Sequence, residues 1–209
     1  MATRAYHNKC KLQLLERWCQ PGSSLLDVGC GRGGDLRKWS AMGLNVTAVE
    51  PDKDLLDDAK GRWYKMKCNP HVHWVLGDIR TAPMSEWDCV AYMFSIHWIL
   101  EDDGEEQFRH AMNRLKSGGV LLGIVPDGDA ITKQERFSCP DGQFWVEGDR
   151  VNWKVEGPFY NDTVLNEPML TQSKLQHMAA NNGGHMVEWE TVGNRSISRF
   201  YASFAIMKM

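Results

Sequence analysis

The chain has 209 residues, 43% of them hydrophobic and 24% charged, enough for one domain with a substantial core and no need of covalent staples. Its formal net charge of -3 excludes a global basic field of the kind that drives nonspecific nucleic-acid binding, so any RNA contact has to be local. The first twenty residues hold no apolar export segment, and the longest aliphatic run, VLLGIV (120–125), is far too short to cross a bilayer. Six scattered cysteines form no CxxC pair and no zinc spacing, so reduced thiols in an intracellular compartment are expected, with no metal and no membrane.

Hydrophobic periodicity predicts a helix over about 6–19, the strand SSLLDVG (23–29), a helix from Gly33 to Met42 and the strand LNVTAVE (44–50). A helix over about 53–66 follows, acidic at first and then basic; its basic run, AKGRWYKMK (59–67), reads as a solvated face. The strands HVHWVLGD (71–78) and WDCVAYMF (87–94), a helix over about 104–116 and the strand GGVLLGIVP (118–126) continue the alternation, which implies a parallel, doubly wound sheet. From residue 127 to about 160–165 the turn signals DGD, CPDG and EGP mark an insertion of short strands and loops. A helix over about 171–182, closed by NNGG, precedes the strands HMVEWETV (185–192) and RFYASFAIMK (199–208), which with no helix between them should pair antiparallel at a sheet edge. With no internal repeat, 1–209 reads as one domain.

Gly29, Gly31 and Gly34 form GxGxxG between a strand and a helix, and Glu50 ends the next strand about twenty residues on, where a ribose-hydroxyl acceptor belongs. Alone, that is a dinucleotide signature. Asp27 and Asp35, however, would put two negative charges beside a pyrophosphate, and so favour a ligand that is cationic at that end. S-adenosylmethionine has that form, with a ribose diol for Glu50, an adenine amino group for Asp78 at the end of the third strand, and an ammonium and a sulfonium for the aspartates. The plainer alternative for Asp27 and Asp35 is helix N-terminal capping. The fold expected is therefore α/β, a class I S-adenosylmethionine-dependent methyltransferase with a Rossmann-like parallel sheet ending in an antiparallel strand pair.

DVGCGRGGDLRKW (27–39) is more specific than a general methyltransferase loop, and it stands in order with HNKCKLQLL (7–15), FSIHW (94–98), PDGD (126–129), NEPMLTQSKLQHMAANNG (166–183) and FYASFAIMK (200–208). Together these stretches resemble the mRNA cap (guanine-N7) methyltransferases, and the methyltransferase domain of viral mRNA capping enzymes. The resemblance implies methyl transfer from S-adenosylmethionine, leaving S-adenosylhomocysteine, to N7 of the guanine of a GpppN-capped RNA. It places Lys11, Asp27, Gly29, Gly31, Asp35, Glu50, Asp78, Met93 and Trp98 at the cofactor. Asn8, His97, Glu167 and Tyr201 fall at the cap, and Arg32, Lys38 and Arg62 would offer cations to its triphosphate.

Three departures stand out. Trp98 replaces the family's usual Tyr, Met93 stands where a glutamine often contacts the cofactor, and Glu50 replaces a more frequent Asp. Guanine N7 carries an in-plane lone pair and no proton, so no general base is named; His97, Glu167 and Tyr201 would position the base. The plainer alternatives are a packed or solvent-facing histidine for His97, whose place at the end of a central strand nonetheless favours the site, a cap of the following helix for Glu167, and a core residue for Tyr201. Two rival readings are a small-molecule class I methyltransferase and a non-catalytic cofactor-binding partner subunit. The closeness of Met1 to the first motif suggests a unit of a longer capping enzyme with triphosphatase and guanylyltransferase domains, or one that works with a stimulatory subunit. The compartment would be nuclear for a cellular protein, and cytoplasmic or the virion for a viral one.

Overall fold

The computed structural model describes residues 3–66, 71–101, 103–156, 163–193 and 196–209. Lys67 of the basic run, Cys68, and residues 157–162 of the predicted insertion lie outside them.

Helix α1 (Thr3–Trp18) leads into β1 (Ser24–Val28), α2 (Leu36–Met42), β2 (Asn45–Glu50), α3 (Lys53–Met66) and β3 (Val72–Leu76). Then come β4 (Trp87–Met93), the single turn α4 (Ile96–Ile99), α5 (Gly104–Asn113) and β5 (Leu115–Pro126). The apolar run SLLDV of β1 is buried almost throughout because helices cover both faces of the sheet. Alternate residues face opposite ways: Leu25 packs with Leu15, Trp39 and Leu44, whereas Leu26 packs with Phe108, Leu121 and Leu175. Helix α2 ends at Gly43, whose φ of +63° suits the left-handed cap that glycine adopts without strain.

After β5 the chain departs from the main sheet into α6 (Gly128–Gln134), β6 (Arg136–Cys139), β7 (Gly142–Glu147), β8 (Arg150–Val155) and β9 (Val164–Pro168). These four strands form their own antiparallel sheet in the order β6-β7-β8-β9. Helix α7 (Gln172–Asn181), β10 (Gly184–Thr191) and β11 (Tyr201–Lys208) then return to the main sheet, whose order is β10-β11-β5-β4-β1-β2-β3. Strand β11 runs antiparallel to both β5 and β10, as expected for the edge pair. The second sheet packs on the start of β11 through aromatics: Trp153 stacks on Tyr201 with centroids 4.9 Å apart, and Phe144 meets Phe200 edge-on at 4.6 Å. Its two ends meet at one place, an isolated bridge between Asp127 and Leu170, where the Gly128 N–H donates to the Leu170 carbonyl at 3.0 Å.

Two local expectations change. Residues 128–134 form a helix where turn signals suggested a loop, because Asp127 caps them by accepting from the N–H groups of Asp129 and Ala130. Glu167 lies on β9, and the helix after it is capped instead by Thr171, whose hydroxyl accepts from the Lys174 N–H.

Candidate active site

The carboxyl ends of β1 and β2 build a turn lined with acids. Gly29 has φ +79°, and a Cβ there would lie 2.6 Å from the Ser95 Cβ, so only glycine lets the turn approach the segment after β4. Ser95 Oγ fastens that approach by donating to the Val28 carbonyl at 2.6 Å. Glu50 cradles the turn: its Oε2 accepts from the Gly31 N–H at 2.8 Å and its Oε1 from the Asp52 N–H at 3.1 Å.

Asp27 is 1% exposed, and neither carboxylate oxygen accepts a hydrogen bond from a described residue. Burial first, then the neighbouring Asp35 charge, pushes its carboxyl well above the usual range. Asp35, immediately before α2, is shared by two ammonium groups, Lys11 at 2.9 Å and Lys38 at 2.8 Å. Burial alone would raise Asp35, but the two lysines together outweigh it and hold the carboxyl below its usual value. Lys38 also donates to the Asn8 Oδ1 at 2.8 Å and to the Gly34 carbonyl at 3.2 Å, so α1 is tied to the glycine loop. Burial pushes Asp27 toward its neutral form, and a cationic ligand group brought against it would restore its charge as an ion pair.

Beside this turn lies a cavity of about 250 Å³ whose lining includes Asn8, Lys11, Gly34, Met93, Glu167 and Tyr201. Its floor is aromatic. The rings of His7, Phe94 and Tyr201 lie 5.1–5.4 Å apart, and the Lys11 ammonium stands 5.2 Å from the Phe94 centroid. Phe94 holds φ at +67°, a conformation that costs a non-glycine residue on the order of 1 kcal/mol or more and is retained here in the lining of the site. His7 bonds Ser198 Oγ at 2.9 Å, and burial, then Lys11, lowers it to about 4.

His97, on α4, is 2% exposed, neither ring nitrogen has a hydrogen-bond partner among the described residues, and burial holds it neutral with a pKa of about 3. Its Nε2 lies 3.8 Å from the Glu167 Oε2. Burial pushes Glu167 up to about 7, against the opposing pull of Trp153 and Arg150. Trp98 is 43% exposed beside His97.

Of the residues singled out in the sequence, Asn8, Lys11, Met93, Glu167 and Tyr201 meet at one cavity, with His97 against Glu167. Asp78 follows β3 and already accepts from the Arg80 backbone N–H at 2.8 Å and from its guanidinium, which hold its carboxyl down. The three cations assigned to the triphosphate are placed differently from one another. Lys38 is 8% exposed and faces inward onto Asp35 and Asn8. Arg32 and Arg62 are exposed, the first paired with Asp58 and the second donating to the Arg32 carbonyl. His7, Phe94, Trp153 and Arg150 were not singled out. His7 was within reach, since it stands four residues before Lys11 and so on the same helical face; the other three carry no local signal.

The strand order with β11 reversed, and the acid-lined glycine turn at the ends of β1 and β2, define the fold of class I S-adenosylmethionine-dependent methyltransferases. The S-adenosylmethionine-dependent methyltransferase of Clostridium acetobutylicum has the same fold, with a TM-score of 0.70 at 14% identity over 99% of this chain and 92% of that one. So does CalS10, an amino pentose methyltransferase of Micromonospora echinaspora solved with S-adenosylmethionine bound, with a TM-score of 0.65 at 18% identity over 98% and 92%. The family model described as a methyltransferase domain matches residues 25–119.

The resemblance to cap methyltransferases is borne out. The chain is 30% identical over 172 residues to the mRNA cap guanine-N(7) methyltransferase of Caenorhabditis briggsae, across 76% of this chain and 40% of that protein. It is 26% identical over 159 residues to that of Schizosaccharomyces pombe, across 68% and 44%. It is also 27% identical over 164 residues to a probable mRNA-capping enzyme of Acanthamoeba polyphaga mimivirus, across 61% and 14%. The chain thus spans less than half the length of these relatives. Among the described residues no three His, Cys, Asp or Glu side chains are grouped to hold a metal ion, and no helix is long and apolar enough to cross a membrane.

Proposed function

We propose that this chain transfers the methyl group of S-adenosylmethionine to N7 of the guanine cap of RNA. The observation that carries the reading is the single cavity where Lys11, Gly34 and Met93, beside the glycine turn, meet Glu167 and Tyr201 from β9 and β11. The similarity to relatives named as cap guanine-N7 methyltransferases supports it.

Asp27, Gly29, Gly31, Glu50 and Asp78 would hold the cofactor, with Lys11, Asp35, Met93 and Trp98 closing round it; unpartnered Asp27 suits its ammonium and Glu50 its ribose diol. When bound, it supplies a methyl group on a positively charged sulfur. The chain needs no residue to remove a proton, because guanine N7 bears a lone pair, and catalysis reduces to alignment and to the field around the moving charge. Glu167, as a carboxylate, accepts from the N–H groups of the guanine Watson–Crick edge and offsets the charge that N7 gains. Adenine presents an acceptor there, so the carboxylate repels it. His97, kept neutral by burial, offers one donor and one acceptor, while Tyr201 packs the base from β11. Arg32 and Arg62, exposed beside the glycine turn, would offer cations to the triphosphate, Arg32 by exchanging its Asp58 partner, whereas buried Lys38 serves the site by holding Asn8.

We read 1–209 as one methyltransferase domain whose insertion at about 127–165 contributes to the acceptor pocket, acting alone or with other capping domains or a stimulatory subunit, and needing no metal. The test is incubation with labelled S-adenosylmethionine and GpppRNA, ApppRNA or free GTP, followed by mapping of the methyl position. Label at guanine N7 of GpppRNA is expected; label on ApppRNA to the same extent, or none on either RNA, refutes the proposal.

A further inference from the structure

Arg150 opens β8 in the second sheet, yet its guanidinium serves three segments at once. Nη1 is ion-paired with Glu101, just beyond α4. Nε donates to the Asn166 side chain and Nη2 to the Asn166 carbonyl at 2.8 Å, both on β9. Its Cζ stands 5.8 Å from the Trp98 ring centroid. Asn166 in turn donates to Asn152 Oδ1 at 2.8 Å, which ties β9 back to β8. The segments joined are those that carry His97 and Glu167: His97 precedes Trp98 on α4, and Glu167 follows Asn166 on β9, paired in register with Val151. Glu167 and His97 face each other at 3.8 Å with no hydrogen bond between them, and apart from this clasp the group of the second sheet that acts on Glu167 is Trp153, on β8 beside it.

We infer that Arg150 is a positioning residue for the acceptor: by clamping Glu101, Trp98 and Asn166 it sets the spacing and orientation of His97 against Glu167. A lysine could keep one ion pair but not the fork to Asn166 or the planar face toward Trp98. The charged and titratable groups facing Glu167 are His97 from α4, Arg150 from β8, Tyr201 from β11 and, across the cavity, Arg4, His7 and Lys11 from α1. Of these, Arg150 is the cation whose charge acts on Glu167 to favour its ionised form.

This inference rests on the cap reading for its kinetic arm only. In the Arg150→Ala variant, KM for GpppRNA should rise at least tenfold with kcat changed less than threefold. Arg150→Lys should fall between the variant and the parent protein, which guards against a misfolded alanine variant. On the protein alone, carbon-detected NMR of Glu167 should show its titration midpoint moving up in Arg150→Ala, a shift that a merely structural role would not produce. An unchanged midpoint together with an unchanged KM overturns the inference. If the parent protein fails to methylate the cap while the midpoint still moves, the cap reading falls and the Arg150 clasp stands.

Discussion

Glu167→Gln should make the ligand-free protein more stable at neutral pH while weakening the acceptor site. The Glu167 side chain is 13% exposed, and its carboxyl titrates near 4.5 in an unfolded chain and at about 7 in the folded one. Below pH 4.5 both states hold the proton and the group contributes no pH dependence. As the pH rises, the unfolded chain gives up its proton first, so the native state binds more protons and stability falls by up to roughly 1.4 kcal/mol per pH unit until the folded carboxyl ionises. The loss levels off above pH 7 at a total of about 3 kcal/mol. Glutamine does not titrate, so the variant escapes this loss. At roughly 2–4 °C per kcal/mol for a chain of this size, its melting temperature at pH 8 should exceed that of the parent by about 6–12 °C, with the gap closing toward pH 4.5. Thermal denaturation monitored by circular dichroism across that range measures it. Parallel melting curves from pH 4.5 to 8, or a variant that is less stable at pH 8, would refute the reasoning. Affinity for GpppG should meanwhile fall, because the amide presents a donor where the guanine edge needs an acceptor.

Asp35→Asn leaves the Lys11 and Lys38 ammoniums without their shared counter-charge; since breaking a buried ion pair costs about 3–5 kcal/mol, the melting temperature should drop by roughly 6–20 °C, and an unchanged melt would show that the lysines find other partners. Gly29→Ala drives a Cβ to 2.6 Å from Ser95 at positive φ, so cofactor affinity by calorimetry should fall by at least about a hundredfold. Trp98→Ala removes a partly exposed ring from beside the proposed cofactor site, so calorimetric affinity for S-adenosylmethionine should drop by roughly 5- to 150-fold, the range expected for one lost base stack.

The main sheet was legible because each of its parallel strands is an apolar run closed by a turn signal, and because the glycines, Asp27 and Glu50 sit at fixed offsets from the strand ends. The second sheet was legible only as a change of texture. Its strands are short and its inward residues, Phe144, Val151 and Trp153, bury against Phe200 and Tyr201 some fifty residues further on, a long-range partnership that local periodicity does not encode. Lys38 shows the same limit from the other side. Its offset from Asp35 is visible in the sequence, but that its ammonium turns inward depends on α1 arriving with Asn8, which no spacing within the loop records. Glu167 was placed by resemblance, yet its approach to His97 is a product of α4 packing against β9.

The arrangement at Asp127 and Leu170 sets how this scaffold could be re-engineered. A segment of about forty residues leaves and rejoins the main sheet where Asp127 bridges Leu170, much as a tool head is held in a chuck. On the proposed role of the insertion, transplanting 128–169 as one cassette between related scaffolds should carry acceptor choice with it, provided the aromatic seat formed by Phe200 and Tyr201 and the Glu101 and Trp98 partners of Arg150 travel too.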